Sequence, residues 1–146
     1  MTSSTTTIPA VRKAQRRRRR RRLAVVGATV LAALLTWAVL DLLLGVDLSA
    51  RTGPTVRVVG PAAIVPAALL VAAAGWALLA LLEKVTAHAR RVWTVIAGIV
   101  LGLSLVGTLG GTHPGAIAGL MALHLVVGLT IIVGLRGRRP ATAPAG

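Results

Sequence analysis

The sequence predicts an all-α membrane protein, a four-transmembrane-helix antiparallel bundle with both termini on the cytoplasmic side (N-in/C-in). Three observations predict it. Seven consecutive arginines (Arg16, Arg17, Arg18, Arg19, Arg20, Arg21 and Arg22) run directly into 22 almost wholly apolar residues, Leu23–Leu44. Three more apolar stretches of membrane-spanning length follow, at 61–82, 92–109 and 114–135. The basic residues between them alternate in abundance from one connection to the next. Nine lie before residue 23, two (Arg51 and Arg57) in the first loop, three (Lys84, Arg90, Arg91) in the second connection, none in the third, and three (Arg136, Arg138, Arg139) at the C-terminus. Four crossings therefore put fifteen Lys and Arg on one side against two on the other. Basic residues beside span ends stay cytoplasmic, which sets the orientation in the cell membrane.

Composition favours lipid over water as the solvent of the fold. Of the 146 residues, 55% are hydrophobic and 14% charged, with Phe and Tyr absent. The apolar mass left after the basic N-terminus is removed has too little polar surface to wrap it. The absence of cysteine excludes disulfides, thiolate metal sites and membrane enzymes that work through a redox-active disulfide. Richness in Ala, Arg, Gly and Val, with only Lys13 and Lys84 as lysines, is the composition of a high-GC bacterial genome.

Residues 1–22 have no hydrophobic period and are expected to form a disordered basic cytoplasmic tail. The arginine run is expected to touch anionic lipid headgroups. Nucleic acid is disfavoured as its partner, because the run abuts a span and has no interleaved aromatics for stacking. The first span, at a rise of about 1.5 Å per residue, covers roughly 33 Å. Its apolar region is too long for a cleaved signal peptide. A loop at Gly45–Arg57 follows, with Asp41 at the edge of the span placed to pair with Arg57 or Arg51, or to approach His113. Pro61 suits the first turn of the second span. Pro66, inside it, removes the helical donor of the Ala62 carbonyl and predicts a kink. Trp93, opening the third span, suits the headgroup level. Gly110 and Gly111 make a short turn to the fourth span, with Thr112 as its expected N-cap and Pro114 its first residue. Residues 136–146 are expected to be a second disordered cytoplasmic tail, leaving 23–135 as the transmembrane domain.

Each span carries small or weakly polar residues at helical spacing: Thr29, Ala33 and Thr36; Ala68, Ala72 and Gly75; Thr94, Gly98, Gly102, Leu105 and Thr108; Gly115 and Gly119. Such residues let helices approach closely where no hydrophobic effect drives them together. His124 stands apart. It lies roughly 15 Å into the fourth span, near the midplane. A neutral imidazole there offers one donor and one acceptor that need partners. Thr36 and Ser104, roughly 9–12 Å from the outer ends of their spans, are the nominated partners. Thr36, Ser104 and His124 thus form a candidate intramembrane polar layer, read either as an interhelical hydrogen bond or as a site for ligand or proton.

Several classes are disfavoured. Small multidrug exporters need a mid-membrane carboxylate, and Asp41 is the only acidic residue in a span, three residues from its end. His88, His113 and His124 fall at different depths, so neither haem nor metal is expected, and no cofactor is implied. Phosphate loops, nucleophile elbows and paired carboxylates are missing from the sequence, and no enzyme is expected. Expected partners are the anionic lipid bilayer and either a second copy of the chain or a larger membrane complex.

Gly75-Trp76-Ala77-Leu78-Leu79 with Leu82-Glu83, Arg91-Val92-Trp93, Leu103-Ser104-Leu105, and Met121 through His124-Leu125-Val126-Val127 resemble a family of small, uncharacterised actinobacterial four-span integral membrane proteins defined as a domain of unknown function. The resemblance covers roughly Leu23–Leu135 and leaves the arginine run outside. It implies a four-helix integral membrane fold and no particular activity. The first reading of function is a structural or partner-binding membrane protein. The alternative is a small transporter or ligand-binding subunit built around the His124 layer.

Overall fold

In a computed structural model, residues 7–136 are described. Four long helices carry the fold: α1 (Thr7–Ala38), α2 (Pro61–Val85), α3 (Ala89–Gly107) and α4 (Pro114–Arg136). Each contributes to a segment long and apolar enough to cross a membrane, which for α1 begins at Gln15. They form an antiparallel bundle. α1 packs against α2 and α4, and α3 packs against the same two from the other side, so α1 and α3 are the diagonal pair.

α1 departs from expectation at its start. The basic stretch is helical from Thr7 onward and continuous with the first span. Arginine is a good helix former, and an adjoining apolar span nucleates the turns before it. Residues 1–6 and the tail with Arg138 and Arg139 lie outside the described residues. α1 ends in a π-helical turn, Val39–Leu43, closed by Gly45 in the left-handed conformation (φ 62°), which glycine adopts without strain.

The first loop contains an antiparallel hairpin that sequence reasoning missed, β1 (Ser49–Thr52) and β2 (Thr55–Val58). Its register runs from Ser49 opposite Val58 to Thr52 opposite Thr55. The two-residue turn is Gly53-Pro54, with Gly53 at φ 62°. Glycine first, followed by a residue of negative φ, is the chemistry of a type II′ hairpin turn. The hairpin docks on the α3–α4 connection. Ala50 bridges to Gly111, the Thr112 amide donates to the Ser49 carbonyl at 3.3 Å, and the Ser49 and Thr112 hydroxyls share a hydrogen bond.

The core falls into two clusters along the bundle. At the hairpin end, Leu48 is fully buried with Ala33, Ile64, Ala68 and Leu123. Leu48 plugs the bundle from the loop, and Gly119 makes room for it: a β-carbon there would run into the Leu48 side chain. At the other end, Ala72, Leu79, Trp93, Ile131 and Leu135 are buried together. Trp93 is 1% exposed and donates its indole N–H to the Gly75 carbonyl at 2.9 Å. It is a core anchor of α3 on α2, and the headgroup expectation is corrected. A helix carbonyl has a second lone pair to accept such a bond.

α2 begins with Pro61 in its first turn, as expected, and continues unbroken through Pro66 to Val85. His113, and not Thr112, caps α4: its Nδ1 accepts from the Ala116 amide at 3.1 Å. The same ring's Nε2 therefore carries the proton and donates to the Asp47 carbonyl at 3.0 Å. Asp41 forms no ion pair among the described residues, where the sequence placed it near Arg51, Arg57 or His113; the one such pair is Arg22–Glu83, at 2.7 Å.

Candidate functional site

Small residues divide the bundle into a closed side and an open side. On the closed side glycines receive large side chains. A β-carbon at Gly134 would stand 2.6 Å from Val25, and one at Gly119 would run into Leu48. Thr29 and Ala33 on α1 are fully buried, so that part of the α1 stripe serves packing. On the open side α2 presents Ala63, Ala67, Val71 and Ala74 to a gap that α3 does not fill. All four are exposed and line a cleft of about 550 Å³ bounded by α2, α3 and α4. That is within the usual range of small-molecule sites, roughly 300–1,000 Å³.

The cleft wall is aliphatic apart from Trp93 and two polar side chains, Ser104 of α3 and His124 of α4. His124 Nδ1 lies 2.7 Å from the Leu120 carbonyl of its own helix. A carbonyl can only accept, so Nδ1 is the donor, and in the uncharged tautomer with that proton Nε2 is an acceptor. Nε2 and the Ser104 hydroxyl have no hydrogen-bond partner among the described residues. Neither atom is sealed from the cleft. The pair offers an acceptor and a donor–acceptor to whatever enters.

Thr36 belongs elsewhere. Its hydroxyl donates to the Ala32 carbonyl one turn back, at 2.8 Å, and Thr36 does not line the cleft. The three-residue polar layer read from depth is therefore corrected to a two-residue one. Depth along a span does not specify which face a side chain takes, and α1 and α3 are diagonal. The alanines of α2 were not singled out from sequence. Their signal is the spacing 63, 67, 74, with Val71 between, one helical face adjoining the packed Ala68–Ala72–Gly75 face.

The arginine run also resolves into parts. Arg22 pairs with Glu83 of α2, and Arg21 donates to the Gly134 carbonyl of α4 at 3.2 Å. Arg18 faces the α2–α3 connection. Spacing of three and four places these on one helix face, continuous with buried Thr29 and Ala33. Arg22 is half-buried, and Arg16 through Arg21 are exposed.

The third-span glycines, Gly98 and Gly102, would meet nothing within 4 Å if given a β-carbon. They sit on the bundle surface with exposed Val95, Ile99, Leu103 and Val106. No group of three or more potential metal ligands occurs among the described residues.

No curated protein and no solved structure matches the chain. One family model does, over residues 13–141. That span takes in the arginine run, which the resemblance had left outside. With nearly the whole chain inside the match, the protein belongs to the Family of unknown function (DUF6069).

Proposed function

We propose that the chain is a non-enzymatic multi-pass protein of the cytoplasmic membrane that binds an apolar ligand in the α2–α3–α4 cleft. The ligand class follows from the wall: an aliphatic or isoprenoid body carrying one hydroxyl or similar donor, which His124 Nε2 accepts while Ser104 orients it. The observation that carries this reading is the free Nε2 acceptor in an otherwise aliphatic cleft. An acceptor facing hydrocarbon without a partner costs free energy, and a ligand hydroxyl would supply one. Access is lateral, from the bilayer, because the exposed cleft residues lie on the outward edge of α2. The fifteen-to-two distribution of basic residues supports termini on the cytoplasmic side.

Extraction in native lipid followed by untargeted mass spectrometry of bound small molecules tests this. The wild type should retain a hydroxyl-bearing apolar compound that His124→Gln and Ser104→Ala lose in large part. Equal small-molecule content in all three would refute it.

A second reading has its own observation. The unfilled Gly98–Gly102 face of α3 supports a partner-binding role, with a second copy or another membrane protein packed against it. Cross-linking at Ile99 in native membranes separates the two readings.

A further inference from the structure

A second cavity lies at the basic end of the bundle, independent of the apolar cleft. It has a volume of about 400 Å³ and is lined by Arg18 of α1, Glu83 of α2, and His88, Arg90 and Arg91 at the start of α3. Three exposed arginines line it, from two parts of the chain that are some seventy residues apart. Its single carboxylate, Glu83, is engaged by Arg22 at 2.7 Å. The lining is therefore strongly positive, with no free carboxylate of its own to balance it.

The backbone adds to this. His88 stands at the N-cap of α3 without a side-chain hydrogen bond to the first turn. Its carbonyl is occupied by the Arg91 and Val92 amides, at 2.9 and 3.1 Å. The leading amides of a helix have no carbonyl ahead of them and carry the positive end of the helix dipole. Ala89 and Arg90, whose amides hold that position, both line the cavity. The level is also informative: the apolar run of α2 stops at Leu82, and Glu83 and the cavity follow directly.

We infer that this cavity is a phosphate-group site, holding a phosphate anion between Arg18, Arg90 and Arg91. Guanidinium forks match phosphate oxygens in pairs, and arginines held together in one concavity repel one another until an anion joins them. Two sources share this chemistry, the headgroup of an anionic phospholipid and free phosphate. Either would lock the basic extension of α1 to the α2–α3 connection.

The test uses the full chain purified in detergent. Native mass spectrometry measures retention of phosphatidic acid against phosphatidylcholine, and equilibrium dialysis measures uptake of inorganic phosphate. The cavity variant is Arg18→Gln/Arg90→Gln/Arg91→Gln. The control, Arg16→Gln/Arg17→Gln/Arg20→Gln, removes the same charge from outside the cavity. The inference predicts that the cavity variant loses about tenfold or more in phosphatidic acid retention and the control, which removes only general attraction to headgroups, clearly less; this outcome assigns the lipid source. Loss of saturable inorganic phosphate uptake in the cavity variant alone, with lipid retention unchanged, supports the site with free phosphate as its source. Equal losses in both variants, or none in the cavity variant, would overturn it. If the cavity variant unfolds, Arg90→Lys/Arg91→Lys keeps the charge and removes the forks. It should bind less than the wild type, and wild-type binding by it would count against the site.

Discussion

The seam between α1 and α4 and the gap between α2 and α3 are built from the same small residues and end differently. At the seam each glycine faces a branched side chain, as Gly134 faces Val25, and the helices close. In the gap Ala63, Ala67 and Ala74 of α2 and Ala97 of α3 line an open cleft. Small residues permit approach, but only a large residue on the opposite helix converts that permission into packing. A small-residue stripe thus marks a seam where its partner is bulky and a cavity where its partner is small. Trp93, at the basic end, joins α3 to α2 by one buried side chain and one hydrogen bond to Gly75.

The largest way to break this contrast is to remove that joint. Trp93→Ala should destabilise the bundle by about 3–5 kcal/mol, read as the midpoint of thermal unfolding in detergent. Trp93→Phe keeps most of the volume and loses the indole N–H, so it should cost about 1 kcal/mol.

On the closed side, Gly119→Val would force Leu48 out of the hairpin end. A loss of about 1–3 kcal/mol is expected, with faster hydrogen exchange in β1 and β2 while the basic end stays protected.

Smaller again is Arg22→Gln. The Arg22–Glu83 pair is partly exposed, and such pairs contribute about 0–1 kcal/mol. A double-mutant cycle with Glu83→Gln should give a coupling within that range, reduced by salt.

The smallest effect is expected at Gly98. Gly98→Ala adds a methyl where nothing stands within 4 Å and raises helix propensity by roughly 1 kcal/mol or less. The unfolding midpoint should hold or rise slightly. A marked fall would mean that this face packs against a partner in the sample.

Much of this architecture was legible in the residues. Four apolar runs of span length are a strong signal because lipid requires each run to satisfy its backbone internally. α2 and α4 begin at Pro61 and Pro114, as their chemistry suggests. The hairpin was harder. Its strands are four residues each, and Gly53-Pro54 beside Thr55-Val56 is a weak mark inside a short loop. Leu48 was not legible at all, since its burial depends on Gly119, 71 positions away. Trp93 and His113 were misread for a common reason. Local preference puts an indole at an interface and a threonine at a cap, whereas tertiary partners (Gly75 in one case, Asp47 in the other) decided both.

For the candidate site, polarity and depth singled out His124 and Ser104, which both line the cleft. Thr36 was wrongly joined to them because depth carries no information about helix face. The seven arginines read as a block of charge, and placing Arg18, Arg21 and Arg22 on the one face that meets other elements required only helical periodicity continued back from Thr29.

The claim at the centre of this account is that the α2–α3 gap is a binding site and not a packing defect. Ala67→Leu with Ala74→Leu fills it from one wall without touching His124 or Ser104. The most direct measurement is native mass spectrometry of the wild type and this variant released from native lipid, with unfolding midpoints taken in parallel. The account predicts that the wild type carries a discrete bound mass, that the filled variant loses it, and that the variant is at least as stable. The same bound-mass profile in both proteins, or no bound mass in either alongside a more stable variant, would contradict it.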